Sequence, residues 1–415
     1  MADFIKLMFT AFAQSITSFM YLLIIMLVFV HIKRNAQLEE SWLGRVRDTH
    51  SNRLMNAVLF GMIVGIAASF LIVLIGITLD TATILFIWPL ALFLMLFNQR
   101  YLCFSYAGGI VSLISLLFGW PDIDVSGIIA LVGILHLIES LLIVLDGHRG
   151  SLPVFMEHKR FKPVGAFILN RLWPIPLVML VVPAEFMQAS AGGGVTMPDW
   201  WPLFQVQSSA GGLVLFPLAA ILGYGDIAIT QSPLQRSRKT GIWLGAYSAA
   251  ILVLAVVSSH IYWLKYVAAV LTPVLHELLI FIGKRGQLEG KPAFGAPWRG
   301  LRILEVFPDS PAERMGLRSG DILMNVNGKP VNSEEMLREL LSGAPSYVWI
   351  DAAREKQTIN GEYKDFVEGV KQLGAVIVPR QTGRLFLPQE QQGLAIKFLK
   401  RLAKKHNGKK TTSST

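Results

Sequence analysis

The chain has 415 residues, 53% of them hydrophobic and only 16% charged, with a formal net charge of +10. Soluble domains carry about 25% charged residues, so this composition excludes an ordinary water-soluble protein and points to a membrane protein. The single cysteine, Cys103, excludes an internal disulfide, and the excess of Lys and Arg beside so many apolar runs suits anionic lipid better than nucleic acid.

A helical span needs about 20 mostly apolar residues, because a helix rises about 1.5 Å per residue across a hydrocarbon core about 30 Å thick. Candidate spans fall at about Phe12–His31, Met55–Leu79, Thr83–Phe97, Tyr101–Trp120, Ser126–Leu145, Gly165–Pro183, Phe204–Gly223, Gly241–Ile261 and Tyr266–Ile282. The third is short and the sixth carries Pro174 and Pro176, so the expectation is a multispan α-helical membrane bundle of about 7–9 helices over residues 1–284. The first run, Ala13 to Ile32, is too long for a signal-peptide core and has no small-residue cleavage site after it, so it reads as an uncleaved helix.

Basic residues set the expected orientation. Lys33, Arg34, Arg45, Arg47 and Arg53 crowd the first connection, Arg100 the third, Arg149, Lys159, Arg160 and Lys162 the fifth, and Arg236, Arg238 and Lys239 the seventh. Asp80, Pro121 to Asp124 and Glu185 to Pro202 are free of Lys and Arg. The positive-inside rule therefore places the odd-numbered loops and the C-terminal part in the cytoplasm, with the N-terminus outside. Trp200 and Trp201 would anchor the outer interface.

Past Lys284 the composition turns soluble, and residues 291–380 read as a small α+β domain. Leu301, Ile303 and Val306 belong to a strand; Ser310, Pro311 and Glu313 form a capping box; Gly316 stops the short helix. Asn327-Gly328 signals a tight turn, and Ser333 caps a second helix with Leu337, Leu340 and Leu341 on one face. The run Val306-Phe-Pro-Asp-Ser-Pro-Ala-Glu-Arg-Met-Gly-Leu-Arg-Ser-Gly-Asp-Ile-Leu, followed by Val326-Asn-Gly-Lys-Pro-Val, closely resembles the core of a bacterial, circularly permuted PDZ domain. That resemblance implies a peptide-binding module in which a partner's extended C-terminus adds beside the strand Arg302, Ile303 and Leu304 to Val306 and packs along Leu337 and Leu341. Phe294-Gly295-Ala296 is the candidate loop for the terminal carboxylate, with an ordinary turn as its other reading.

His276-Glu277 in the last run is half of the His-Glu-x-x-His motif with which intramembrane metalloproteases bind zinc. Ile280 stands where the second histidine belongs, and Leu145-Asp146-Gly147, which looks like a third-ligand motif, precedes the pair instead of following it. The expectation is therefore no catalytic residue, no metal and no cofactor. His136 and Glu139, three apart on one helix face, together with Arg171 and Asp226, are polar groups at membrane depth. They mark either an ion path or, as we favour, hydrogen bonds between helices. Residues 385–415 form a basic tail in which Ala395, Phe398, Leu399 and Leu402 keep helical spacing among lysines, as in a helix lying on an anionic inner leaflet or in a solvated tail.

The order of motifs resembles the MinJ-like family of bacterial cell-division topological proteins. The residues that carry it are His136-Leu-Ile-Glu139, Gly147-His148, Pro153-Val154-Phe155, Val164-Gly165-Ala166-Phe167, Leu172-Trp173-Pro174-Ile175-Pro176, Leu222-Gly-Tyr-Gly-Asp-Ile-Ala228, His276-Glu277 and the PDZ core. Ile359-Asn-Gly-Glu-Tyr363 and Leu373-Gly374 belong to the same pattern, whereas Ala166 stands where a glycine is expected and the basic tail is foreign to it. The resemblance implies a non-enzymatic adaptor at the septum and poles, linking a DivIVA-like scaffold to MinD-like and MinC-like inhibitors of FtsZ assembly, with other divisome proteins as further partners. Two readings from other classes compete with it: a site-2-type intramembrane metalloprotease or its inactive relative, and a transporter or channel with a regulatory PDZ domain.

Overall fold

The computed structural model describes residues 2–158, 163–182, 214–355 and 357–380. Trp200, Trp201 and the basic tail lie outside these residues.

The chain opens with two helices, α1 (Ala2–Thr17) and α2 (Phe19–Leu43), where the sequence suggests one span. Ser18 divides them: its side chain accepts the Tyr21 amide, which caps α2, and donates back to the Ser15 carbonyl at 2.7 Å. There follow α3 (His50–Ile75), the short strand β1 (Thr78–Asp80), α4 (Thr81–Phe97), α5 (Phe104–Phe118) and α6 (Val125–Asp146). After a sheet region come the long helices α7 (Pro233–His260) and α8 (Tyr262–Glu289). Among the described residues α2, α3, α6, α7 and α8 are long and apolar enough to cross a membrane.

Two of the expected spans are strands. β2 (Leu152–Met156), β3 (Val164–Val182) and β4 (Val214–Ala228) form an antiparallel sheet, in which β3 and β4 run side by side from Phe167↔Ala228 to Val181↔Val214. The prolines decide this. Inside a helix Pro174 and Pro176 would each remove a backbone hydrogen bond and clash with the preceding turn. In a strand, residues two apart direct their backbone groups to the same edge. The carbonyls of Pro174 and Pro176 face α3, and so do the positions where their amides are missing, away from the β4 ladder.

Helix α3 reaches that edge because it is small there. A Cβ on Gly61 would sit 2.0 Å from the Pro174 carbonyl oxygen, and one on Gly65 would sit 2.3 Å from that of Pro176. One turn further along the same face, Ser69 Oγ accepts the Val178 amide at 2.9 Å. The Gly-x-x-x-Gly spacing common between packed membrane helices here seats a helix against a strand.

The C-terminal domain holds β5 (Phe294–Gly295), β6 (Leu301–Val306), α9 (Pro311–Arg314), β7 (Ile322–Val326), β8 (Lys329–Pro330), α10 (Glu334–Ser342), β9 (Tyr347–Arg354), β10 (Gln357–Lys364) and β11 (Ala375–Ile377). Its sheet runs β10-β9-β7-β6-β11, with β8 paired to β7 through the Asn327-Gly328 turn. Leu301, Ile303, Leu323, Val326, Val348 and Ile350 fill its core. The domain is joined to the bundle by more than the chain. β5 leaves it to pair with β3 at Val164↔Gly295 and Gly165↔Phe294. Phe294, Leu304 and Val378 belong to the bundle's core. The α2–α3 connection completes the contact, with Arg45 stacked 3.7 Å over Phe307 and Arg47 Nη1 3.5 Å from Glu305 Oε2.

Candidate functional site

The strand expected to receive a peptide is not open to one. β6 is paired on both edges, to β7 at Leu301↔Leu323 and Arg302↔Ile322, and to β11 at Ala375↔Val306, Val376↔Glu305 and Ile377↔Ile303. A partner strand cannot add to Arg302–Val306, because no edge of it is open. Ile303 and Leu304 are fully buried, and Arg302 donates to the carbonyls of Gly295 at 2.8 Å and Gly320 at 3.1 Å. Phe294-Gly295 is consumed by β5, so this segment, with Ala296 after it, is not a carboxylate loop but part of the seam with β3.

Among the described residues the PDZ sheet ends in two strands with one unpaired edge each, β10 and β11; β11 lies beside β6 and closes the sheet from the C-terminal side. It follows directly on Leu373-Gly374, where Gly374 takes φ +74°. The carbonyls of Leu373 and Gly374 are held by the amides of Ala312 and Phe307, both at 2.9 Å, which fixes the turn against the start of α9. Leu337 and Leu341 on α10 share a core with Val370, Leu373 and Ile377. The candidate peptide-binding face thus keeps the expected helix but has a different strand and turn. The available signal was Leu373-Gly374, already part of the motif pattern, followed by the apolar run Ala375 to Val378.

The polar residues within the bundle separate into two groups. In the first, ion pairs tie the sheet to the helices. Asp146, fully buried, accepts from Arg171 Nε at 3.0 Å, Arg171 Nη2 and Trp173 Nε1 at 2.8 Å. Asp226 accepts from Arg236 Nε at 2.8 Å and Nη2 at 3.1 Å, and from Thr240 Oγ1 and Tyr224 at 3.0 Å. Arg171 and Asp226 are both on strands, so the bonds run between sheet and helix and not between helices. The Leu145-Asp146-Gly147 motif is likewise accounted for by Arg171 and Trp173.

The second group is a cluster from three segments. Cys103, the N-cap of α5, lies with its Sγ 3.1 Å from His136 Nε2 on α6 and 3.9 Å from His276 Nε2 on α8. His136 Nδ1 is 2.7 Å from the Val132 carbonyl, and His276 Nδ1 is 3.3 Å from the Tyr106 hydroxyl. Tyr106 donates to Glu277 Oε2 at 2.6 Å, and Glu277 pairs with Arg100 at 2.9 Å. The Tyr247 ring flanks both imidazoles. Glu139, half-buried one turn along α6 from His136, does not join this cluster of ligand atoms. Sequence reasoning singled out His136, His276 and Glu277 separately and missed Cys103, whose only signal was its being the single thiol.

A PDZ-domain family model matches residues 302–354, from β6 through β9. The chain is 27% identical over 250 residues to the cell division topological determinant MinJ of Bacillus subtilis, covering 59% of this chain and 57% of that protein. It therefore matches little more than half the length of that relative. It is 23% identical over 339 residues to the probable cell division topological determinant MinJ of Lacticaseibacillus paracasei, covering 78% of this chain and 85% of that one. A stretch of 55 residues is 40% identical to human serine protease HTRA3, 13% of this chain and 12% of the protease. Among solved structures, the PDZ domain of an SdrC-like protein from Listeria monocytogenes is similar, at 19% identity and TM-score 0.18, over 20% of this chain and 92% of that one. The two MinJ relatives, the PDZ domain and the apolar helices that precede it together fit a MinJ-like protein.

Proposed function

We propose that this protein is a non-enzymatic membrane adaptor in division-site selection, with the PDZ domain as its peptide-binding module on the cytoplasmic side. The observation that carries the reading is the pairing of β5 with β3, which fixes a PDZ domain to a bundle of apolar helices while, among the described residues, the outer edge of β11 stays open. A partner's extended segment would add to β11, set its apolar side chains toward α10, and bring a terminal carboxylate to the turn at Gly374. The basic loops around the bundle support a cytoplasmic PDZ domain by the positive-inside rule. MinD-like and DivIVA-like proteins are its proposed partners, on the family resemblance that the order of motifs carries. Attachment to one membrane would make several weak contacts effectively intramolecular, raising effective concentration without a large interface.

The test is fluorescence localisation of the tagged protein in its native cell, with and without Lys291–Pro379. Enrichment at septa and poles, and minicells or filaments on deletion, supports the adaptor. A uniform membrane signal with normal division overturns it.

A further inference from the structure

We propose that Cys103, His136 and His276 form a binding site for a zinc-class transition-metal ion inside the helix bundle. Their three ligand atoms, one thiol sulfur and two imidazole nitrogens, lie within 4.8 Å of one another. In a tetrahedral site with Zn–S about 2.3 Å and Zn–N about 2.0–2.1 Å, a sulfur and a nitrogen are about 3.6 Å apart. The observed separations of 3.1 and 3.9 Å bracket that value.

The hydrogen bonds around the histidines aim the correct nitrogens inward. The Val132 carbonyl can only accept, so His136 Nδ1 carries the hydrogen and Nε2 presents its lone pair to Cys103. Tyr106 gives its hydrogen to the Glu277 carboxylate, so its oxygen accepts from His276 Nδ1, and His276 Nε2 also presents a lone pair. Two lone pairs thus converge on one thiol hydrogen, which satisfies only one of them. A cation between the three atoms resolves the conflict, the thiol losing its proton to solvent as the sulfur–metal bond forms. The Ser105 amide, 3.5 Å from the sulfur, then donates to the bound thiolate.

The outer partners match those of metal sites, where a ligating histidine donates its other nitrogen to a carbonyl or toward a carboxylate. One thiolate and two imidazoles select zinc or copper over magnesium and calcium. With three protein ligands, the fourth position is left to water or to a partner's group. The Arg100–Glu277 pair, with side chains 35% and 40% exposed, marks the way in from the surface.

The experiment uses the full-length protein in detergent, titrated with Co2+ and then Zn2+. One equivalent of cobalt with a near-ultraviolet thiolate-to-metal charge-transfer band, displaced by zinc, is expected. Cys103→Ser should abolish the band, and His136→Ala or His276→Ala should weaken binding at least about tenfold, while His260→Ala, at an exposed position on α7, leaves it unchanged. Tyr106→Phe keeps the ring but removes the oxygen behind His276, and should weaken binding about 10–100-fold. A cobalt spectrum without the thiolate band in the wild-type protein overturns the site, whether or not the ligand variants fold. A metal-free protein whose Cys103 alkylates unusually fast identifies a thiolate–imidazolium pair and overturns it as well.

Discussion

Glu39 holds the seam between the bundle and the PDZ domain, and replacing it with glutamine tests how much that seam contributes. Its carboxylate, 2% exposed, accepts from Arg47 Nε and Arg53 Nη2, each at 2.5 Å. Arg47 continues to the Ser151 carbonyl and to Glu305 of the PDZ domain. Removing one partner of a buried ion pair costs about 3–5 kcal/mol, because the other charge is left buried and uncompensated. In Glu39→Gln, Arg47 keeps two further acceptors while Arg53, with 9% of its side chain exposed, loses its carboxylate, so the cost falls near the lower end, about 3 kcal/mol. One kcal/mol moves Tm by about 2–4 °C in domains of 150–250 residues and less in longer chains, so a drop on the order of 5 °C is expected. The assay is fluorescence-monitored melting in detergent of wild type, Glu39→Gln, Arg53→Met and the double variant. Arg53→Met removes the orphaned charge, so the double variant should melt above Glu39→Gln alone. If Glu39→Gln melts with the wild type, or if the two substitutions simply add, the seam is not held by a coupled charge pair and the reasoning fails.

Gly65→Ala places a Cβ 2.3 Å from the Pro176 carbonyl, a backbone atom that cannot yield cheaply, so α3 must back away from β3. An overpacking cost of about 1–3 kcal/mol and a lower melting temperature should follow, whereas alanine at Gly286, where the added Cβ meets nothing within 4 Å, should leave melting unchanged. Asp365 accepts the Glu368 and Val367 amides, which holds its carboxyl below the usual carboxylate range. A depressed folded pKa contributes stability that is present above the unfolded value of about 3.9 and lost as pH falls through the folded one. Asp365→Asn should therefore melt below the wild type at pH 7 and converge with it in strong acid; a constant gap across the titration would disprove the assignment.

What the sequence made legible was local chemistry. Half of the expected capping box at Ser310 forms: Ser310 Oγ accepts the Glu313 amide at 3.3 Å, but the Glu313 carboxylate returns to the Asp309 amide and not to that of Ser310. Asn327 and Gly328 both adopt positive φ, as the tight turn demands. The apolar length of α3, α6, α7 and α8 was equally direct, since a run of that length has few other places to go. β3 was misread because length and hydropathy do not distinguish a buried strand from a span; Pro174 and Pro176 did carry the information.

The features that bear most on function depend on pairings between distant parts of the chain. Whether β6 offers an edge is decided by β11, some seventy residues later, whose three short apolar residues are unremarkable in isolation. A permuted domain can supply the same groove from either end of its sequence, so a motif match over residues 302–354 identifies the fold without identifying the strand that a ligand meets. The cluster of Cys103, His136 and His276 is the stronger instance, since it draws on α5, α6 and α8 and no spacing within one helix announces it. A metal motif on one helix is readable because the 3.6-residue period places its two ligands together. With one ligand at the N-cap of α5 and one on each of α6 and α8, the signal is the packing of the bundle itself. The missing second histidine at Ile280 therefore argues against a His-Glu-x-x-His site and is silent about this one.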